Sequence, residues 1–555
     1  MMQMTGAELI VRLLERQGVR TIAGIPGGAI LPLYDALSGS EIIRHVLARH
    51  EQGAGFMAQG MARVSGRPEV CFASSGPGAT NLVTAIADAR LDSIPLVAIT
   101  GQVPLSMIGT DAFQEVDIYG MTVPITKHNF LVRSAEELLE VIPEAFRIAM
   151  SGRPGPVLVD VPKDVQNQML AFATYPEPAV ADPLPEIDLA QVDEAARMIN
   201  EAEQPVLYLG GGVIHSGAAQ LAVTLAEQAG LPTTMTLMAL GAMPMDHPLA
   251  IGMLGMHAAR YTNYALEEAD LLICVGARFD DRAIGKAAQF CPNARIIHID
   301  VDPSELHKIK TAHVAINGDV AQVLEALLPR VKATLRKRWL SHIDSLKTRF
   351  PLQMPGRDDP RSHYGLVHAV AAALDDQAII TTDVGQHQMW VAQAYPFRRP
   401  RQWLTSGGLG SMGFGMPAAV GAALAAPERT VVCFSGDGSL LMNIQDLATL
   451  AEENLNVKIV LMNNNSLGLV YQQQNLFYGK RVFASKYAGA PNFLTIAEGF
   501  GIAAVDLDAA ANPRAALAAA LERPGPCLIH ASIDRNEFVY PMVPPGGANT
   551  EMIGG

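Results

Sequence analysis

The 555-residue chain has little cysteine, no excess of positive charge and no long apolar run, and each shortage closes off a class of protein. Five cysteines lie far apart, at positions 71, 274, 291, 433 and 527, with no CxxC pair and no Cys/His cluster. Neither a disulfide framework nor a structural zinc site is indicated. No uninterrupted apolar run approaches the ~20 residues that cross a bilayer, so no membrane partner is expected. The opening "MMQMTGAELIVRLLERQG" lacks a basic n-region and an apolar h-region and reads directly as an amphipathic helix. With no signal segment, a cytoplasmic, disulfide-free protein is expected. Lys and Arg number 41 against 55 Asp and Glu, a net charge of −14. That argues against a nucleic-acid partner, but not against small anions held locally at helix N-termini and arginines.

What is present is an ordinary globular balance, 49% apolar and 17% charged, in a chain too long for one core. Short strand-like runs alternate with helical stretches throughout, which predicts an α/β fold of three doubly wound parallel-sheet domains. The first block holds "VRTIAGIPGG", "EVCFASSGPG", "PLVAITGQ" and "PVLVDVPKD"; the second "PVLYLGGGV", "LLICVGARFDDR" and "RIIHIDVDP"; the third "AIITTDVGQ", "RTVVCFSGDGS", "KIVLMNNNS" and "CLIHASID". In each block the polar residues stand at the strand ends, where open parallel sheets bind ligands. Proline-rich 173–188 reads as a linker, and 330–360 as a basic helical stretch ending in a Pro/Gly turn region. The expected domains are 1–170, 188–335 and 360–540, followed by a Pro/Gly-rich, mobile tail over 541–555.

The stretch "FSGDGS" puts Asp437 between Gly436 and Gly438 at the end of an apolar run. A charge there costs free energy unless a cation meets it. Asn464 ends the next apolar run, 464 − 437 = 27 residues on, a spacing that suits a strand, a turn, a helix and a parallel neighbouring strand. Carboxylate and amide oxygens suit Mg2+. The flanking glycines let backbone approach a phosphate, and Ser439 is expected to begin a helix whose amides favour anions. A tight turn with Asp437 as a helix cap is the alternative for GDG alone; the paired Asp437 and Asn464 favour the metal.

That paired unit resembles the thiamine diphosphate (ThDP) fingerprint, and from Gly6 to the C-terminus the chain resembles the catalytic large subunits of the acetohydroxyacid synthase (acetolactate synthase) family, of the enteric isozyme I type. The resemblance implies pyrimidine-binding, FAD-binding and diphosphate-binding domains in that order, with the tail 541–555 closing over the site as a lid. It implies Mg2+ ligation by Asp437, Asn464 and the carbonyl of Ser466. Val384, Gly385, Gln386 and His387 in "DVGQHQMW" would surround the diphosphate and pyrimidine, "GGLGSMGFG" would supply Gly410 and Met412, with Met412 under the thiazolium as the wedge that bends the cofactor, and Gly468, Leu469 and Val470 would continue the pocket. Glu51 in "LARHEQGAGF" would activate the cofactor through its aminopyrimidine, a role that calls for a low-dielectric site; read by itself it is an acid favourable to a helix N-terminus. Gly27, Gly28, Pro77 and Asn81 would lie close to the cofactor, Phe113 and Gln114 along the substrate side, and Lys163 at the mouth of the access channel. In the family this glutamate reaches the cofactor of another subunit, so a homodimer is implied, as is a small regulatory subunit.

"LYLGGGV" is not a GxGxxG motif, so a nicotinamide site is weakly supported. The family places FAD there, as a structural cofactor, which implies Arg153, Gly211, Gly212, Thr236, Leu237, His257, Gly276, Arg278, Asp280, Arg282, Asp300 and Asp319 as its neighbours. Arg282 is also a natural partner for a 2-ketoacid carboxylate, its alternative being a surface arginine paired with Asp280 or Asp281. Met256 and Phe113 would supply an apolar wall. Many family members carry tryptophan where this chain has Gln473, so little discrimination between pyruvate and 2-ketobutyrate as acceptors is expected. The implied reaction is decarboxylation of pyruvate and transfer of its hydroxyethyl group to either acceptor, at the first common step of branched-chain amino acid biosynthesis. A ThDP- and FAD-dependent pyruvate oxidase, a glyoxylate carboligase (disfavoured by Glu51) and a nucleotide-binding scaffold are the alternatives.

Overall fold

The computed structural model describes residues 1–489 and 491–554. Three six-stranded sheets, parallel throughout, succeed one another along the chain. The first runs, edge to edge, Arg44–Leu47, Thr21–Gly24, Glu69–Ala73, Leu96–Gln102, Pro156–Pro162, His128–Leu131. The third repeats that order with Trp403–Leu404, Ile379–Thr382, Val431–Gly436, Val457–Asn463, Cys527–Ser532, Ala503–Asp506. The middle sheet has the dinucleotide-fold order: Ala250–Met253, Thr233–Met235, Pro205–Leu209, Leu271–Val275, Arg295–Asp300, Val314–Asn317. Strands Leu96–Gln102, Pro156–Pro162 and Val457–Asn463 are buried at every position, the mark of sheets covered by helices on both faces.

In each sheet the order of strands reverses beside its first strand, and the crevice opened at such a point is where ligands bind. In the first sheet it lies between Thr21–Gly24 and Glu69–Ala73, so Gly27–Gly28 faces Ser74–Pro77. In the middle sheet it lies between Pro205–Leu209 and Leu271–Val275, so Gly210–Gly212 faces Gly276. In the third it lies between Ile379–Thr382 and Val431–Gly436, so Asp383–His387 faces Gly436–Ser439.

Three features differ from expectation. The chain does not open directly into a helix: Met2–Thr5 pairs antiparallel with Met169–Phe172, and the helix Gly6–Arg16 follows, closed by a Thr5/Glu8 capping box. The basic helix Lys337–Arg349 packs on the middle sheet, burying Trp339, Ile343 and Leu346, with the Trp339 Nε1–H donating to the Pro205 carbonyl at 3.0 Å. Its apolar face thus joins the packing of the middle sheet. The tail is no free end. Val539, Met542 and Val543 are buried, and the Val543 N–H donates to the Met256 carbonyl at 2.9 Å. The Asn549 amide donates to the Ala283 carbonyl at 2.9 Å. Unpaired apolar groups and amides find partners on the middle domain, whatever the Pro/Gly content; Gly555 lies outside the described residues.

The first and third domains meet along two helices, Glu51–Ser65 and Gly415–Ala425. The backbones cross so closely that a Cβ on Gly60 would overlap the Ala418 carbonyl, and one on Gly421 the Met57 carbonyl.

Candidate active site

Asp437 ends strand Val431–Gly436 and is 3% exposed. One carboxylate oxygen accepts from the Ser466 N–H at 3.1 Å. Asn464 Oδ1 accepts from the same N–H at 3.1 Å and from Ser466 Oγ at 2.9 Å, while its Nδ2 donates to Gln386 Oε1 at 3.0 Å. The two strand ends therefore present their oxygens together. No lysine or arginine pairs with Asp437 among the described residues, and burial pushes its carboxyl up to about 6. A buried carboxylate of this kind lacks a cation, and the hard oxygen donors fit Mg2+. The helix begins at Asp437 itself, not at Ser439, and is a single turn, Asp437–Leu440; the Ser439 hydroxyl donates instead to the Val384 carbonyl at 2.9 Å.

A cavity of about 190 Å3 opens over these groups, lined by Val384, Gly385, Gln386, His387, Gly410, Met412, Gly436–Ser439, Asn464, Ser466 and Gly468–Val470. His387 is buried, its Nε2 has no partner among the described residues, and burial pulls its pKa down to about 3, so the ring is neutral at neutral pH. A Cβ on Gly436 would come within 2.9 Å of its Nδ1. Glycine thus keeps open a cradle edged by an unpaired polar nitrogen, which fits a polar cofactor.

A larger cavity, about 820 Å3, lies at the crevice of the middle sheet, within the ~300–1,000 Å3 range of ligand sites. It brings together Arg153, Gly211, Gly212, Thr236, Leu237, Met256, His257, Gly276, Arg278, Asp280, Arg282, Asp300, Asp319 and Gln473. Gly212 and Gly276 face each other with no room for a Cβ, 2.7 Å from the opposing Cα on either side. Thr236 Oγ1 is buried without a partner among the described residues, and burial pushes Asp300 up to about 6; both fit hydroxyl-rich ligand atoms. Two of the acids already have local roles. Asp319 caps helix Val320–Leu327, and Asp280 caps the turn Asp281–Ile284. Arg153 pairs with Glu305 at 2.7 Å. Arg282 touches exposed Asp281 only at 3.8 Å, a contact worth little, so its guanidinium remains available at the cavity wall. Gly410 and Leu469 line both cavities, which therefore adjoin.

Apart from Arg153, the first-domain residues gather elsewhere. Glu51 opens helix Glu51–Ser65, half-buried, and accepts from the Asn81 amide at 2.9 Å. It lines neither cavity. Gly28, Pro77, Phe113 and Gln114 are exposed, Phe113 to 87%. A Cβ on Gly28 would meet nothing within 4 Å, whereas Gly27 backs onto Ser74. Gln114 has φ +60°, and Gly76 leaves space for its backbone. Lys163 is half-buried just past strand Pro156–Pro162.

Sequence reasoning passed over Asp383 and Asp446. Asp383 is fully buried and accepts from the Gly413 and Phe414 N–H groups at 2.7 and 3.1 Å and from Ser435 Oγ at 3.2 Å. It pins the far end of the loop that carries Met412. Its place directly before Val384 in an apolar run was the available signal. Asp446, also buried, accepts from the Arg49 N–H at 3.1 Å ahead of the Glu51 helix; it stands in no motif.

Comparison with known proteins gives three matches in succession along the chain: "Thiamine pyrophosphate enzyme, N-terminal TPP binding domain" over residues 4–121, the central domain over 192–327, and the C-terminal TPP binding domain over 383–531. The chain is 65% identical to the acetolactate synthase isozyme 1 large subunit of Escherichia coli (strain K12), across 99% of this chain and 98% of that one. It is 48% identical to the isozyme 2 large subunit of the same organism, across 99% of each. It is 46% identical to the chloroplastic acetolactate synthase 1 of Zea mays, across 99% and 88%. The chain belongs to the acetolactate synthase large-subunit family of thiamine pyrophosphate enzymes.

Proposed function

We propose that this chain is the catalytic subunit of an acetolactate synthase. It takes the two-carbon unit left when pyruvate loses CO2 and joins it to a second pyruvate or to 2-ketobutyrate. The observation that carries the reading is the buried, cation-less Asp437 facing Asn464 at the crevice of the third sheet, in a chain so similar to known acetolactate synthase subunits.

Bound ThDP supplies the electron sink for decarboxylation and for carbon–carbon bond formation. Asp437, Asn464 and the Ser466 carbonyl would hold Mg2+, and the glycines at 436, 438 and 385 leave room for a diphosphate. Neutral His387, with Gln386, would face the cofactor's polar groups. Glu51 would hold a proton against the aminopyrimidine, oriented by Asn81. Because Glu51 and the exposed Gly28, Pro77, Phe113 and Gln114 lie outside their own chain's cavities, we read the working unit as a homodimer in which one copy completes the site of the other, with Lys163 near the entrance. Arg282 would receive the acceptor's carboxylate, Met256 would bound its apolar side, and polar Gln473 would leave pyruvate and 2-ketobutyrate weakly distinguished. The large cavity suits FAD as a structural group. The relatives' designation "large subunit" supports a small regulatory partner.

The test is acetolactate formation from pyruvate with ThDP, Mg2+ and FAD omitted one at a time. Loss of product without ThDP or Mg2+ is expected. Rapid bleaching of bound flavin by pyruvate, with no acetolactate formed, would favour a pyruvate oxidase instead.

A further inference from the structure

The loop Ser406–Met412 forms the wall between the two cavities. Ser406 to Gly410 face the large one, and Gly410 and Met412 the small one. Its anchorage comes from outside its own domain. Helix Val83–Asp92 of the first domain aims two buried carboxylates at it. Asp92 accepts from the Gly408 N–H at 2.7 Å and the Gly407 N–H at 3.1 Å. Asp88 accepts from the Ser411 hydroxyl at 2.9 Å and from the Ser406 hydroxyl.

One cation serves both acids. Arg63 is 7% exposed and reaches Asp92 at 2.8 Å and Asp88 at 3.4 Å. Its guanidinium also lies 4.9 Å from the centre of the Phe414 ring, just beyond the loop. The loop's glycines let it thread the three-domain junction. A Cβ on Gly407 would overlap the Met238 sulfur of the middle domain, and one on Gly408 would lie 2.8 Å from Leu91 Cβ.

Two carboxylates, one guanidinium and four loop donors meet at a buried junction on the edge of the large cavity, with the Arg63 Nε–H left without a partner among the described residues. Buried polar sets of this kind specify position more than they stabilise. We propose that Arg63, Asp88 and Asp92 are positioning residues for the loop Ser406–Met412, fixing from the first domain the wall against which both the ThDP cavity and the large cavity are shaped. The proposal rests on the family reaction for its ThDP arm and on the FAD reading for its flavin arm.

The test uses full-length chain stripped of cofactors. ThDP affinity in the presence of Mg2+ is read from quenching of Trp390, which lines the small cavity, and FAD affinity from flavin fluorescence. Asp160→Asn is the comparator: Asp160 is an equally buried first-domain acid, bonded to Thr100 and Gln102 within its own sheet. Losing hydrogen bonds to a charged group predicts that Asp92→Asn raises both dissociation constants about ten-fold, that Asp92→Glu recovers part of the loss, and that Asp160→Asn changes neither. Should Asp92→Asn fail to fold, Ser411→Ala removes one bond and is expected to raise the ThDP constant about three-fold. Unchanged affinities in Asp92→Asn and Ser411→Ala, with only a lower melting temperature, would overturn the proposal. If the wild-type chain binds no flavin, the FAD reading falls and the loop is judged on ThDP alone.

Discussion

Asp437 is costly to bury alone, and that cost is the reason for proposing it as a metal ligand. Asp437→Asn keeps the shape and removes the charge the cation answers. The Mg2+ concentration for half-saturation, followed by calorimetric titration with ThDP present, is expected to rise at least about ten-fold, since hydrogen bonds and contacts to charged groups are worth roughly 1.5–3 kcal/mol. A Mg2+ requirement that did not move would remove Asp437 from the metal site. Gln473 lines the large cavity beside Leu469, where, on the proposed reading, side-chain bulk would meet the acceptor. Gln473→Trp adds apolar surface, and one methylene's worth of added contact discriminates by about ten-fold or more. In a competition assay the ratio of acetohydroxybutyrate to acetolactate should rise accordingly in the variant. A wild-type ratio already far above the substrate ratio would refute the weak selectivity assigned to Gln473.

Two crossing helices carry the first domain's glutamate and the third domain's cofactor loop. Helix Gly415–Ala425 is buried at nine of its eleven positions and is built almost wholly of small residues. Its hydrophobicity has no helical stripe, because it is covered on every side. Gly421 touches the Met57 backbone, so Gly421→Ala forces two helices apart rather than displacing a flexible side chain. Overpacking of this sort costs about 1–3 kcal/mol, and the midpoint of thermal unfolding should fall. Gly499→Ala, whose added methyl meets nothing within 4 Å, is expected to leave it unchanged. Equal behaviour of the two variants would mean that the crossing tolerates a wider spacing.

Across the whole protein, Glu51 stands apart from the third domain's candidate cofactor groups within one chain, since it lines neither cavity. If a second copy supplies Glu51, then Glu51→Gln and Asp437→Asn damage different halves of one composite site. Each variant should be inactive alone. Mixed and allowed to exchange subunits, half the dimers would carry one intact site out of two, restoring about a quarter of wild-type activity. No recovery, despite exchange shown by native mass spectrometry, would place the glutamate's partner cofactor in its own chain.

The alternation of apolar runs with Gly- and Asp-ended loops made three α/β units legible, because a strand buried on both faces must read as an apolar run and must stop where the ligand crevice begins. The same local chemistry exposed Asp437 and Asn464, since each sits at a strand end beside residues chosen for close backbone approach. It could not reveal which strands are neighbours, and hence where each sheet reverses. Nor could it show that Arg63, Asp88 and Asp92 meet a loop more than 300 residues away, that Asp383 braces Met412 from behind, or that the Pro/Gly-rich tail is pinned against Met256 and Ala283. Those contacts depend on how three domains pack. A buried carboxylate carries no mark in the chain that says which distant amide will satisfy it; only the folded arrangement chooses the partner, because only there has water been removed.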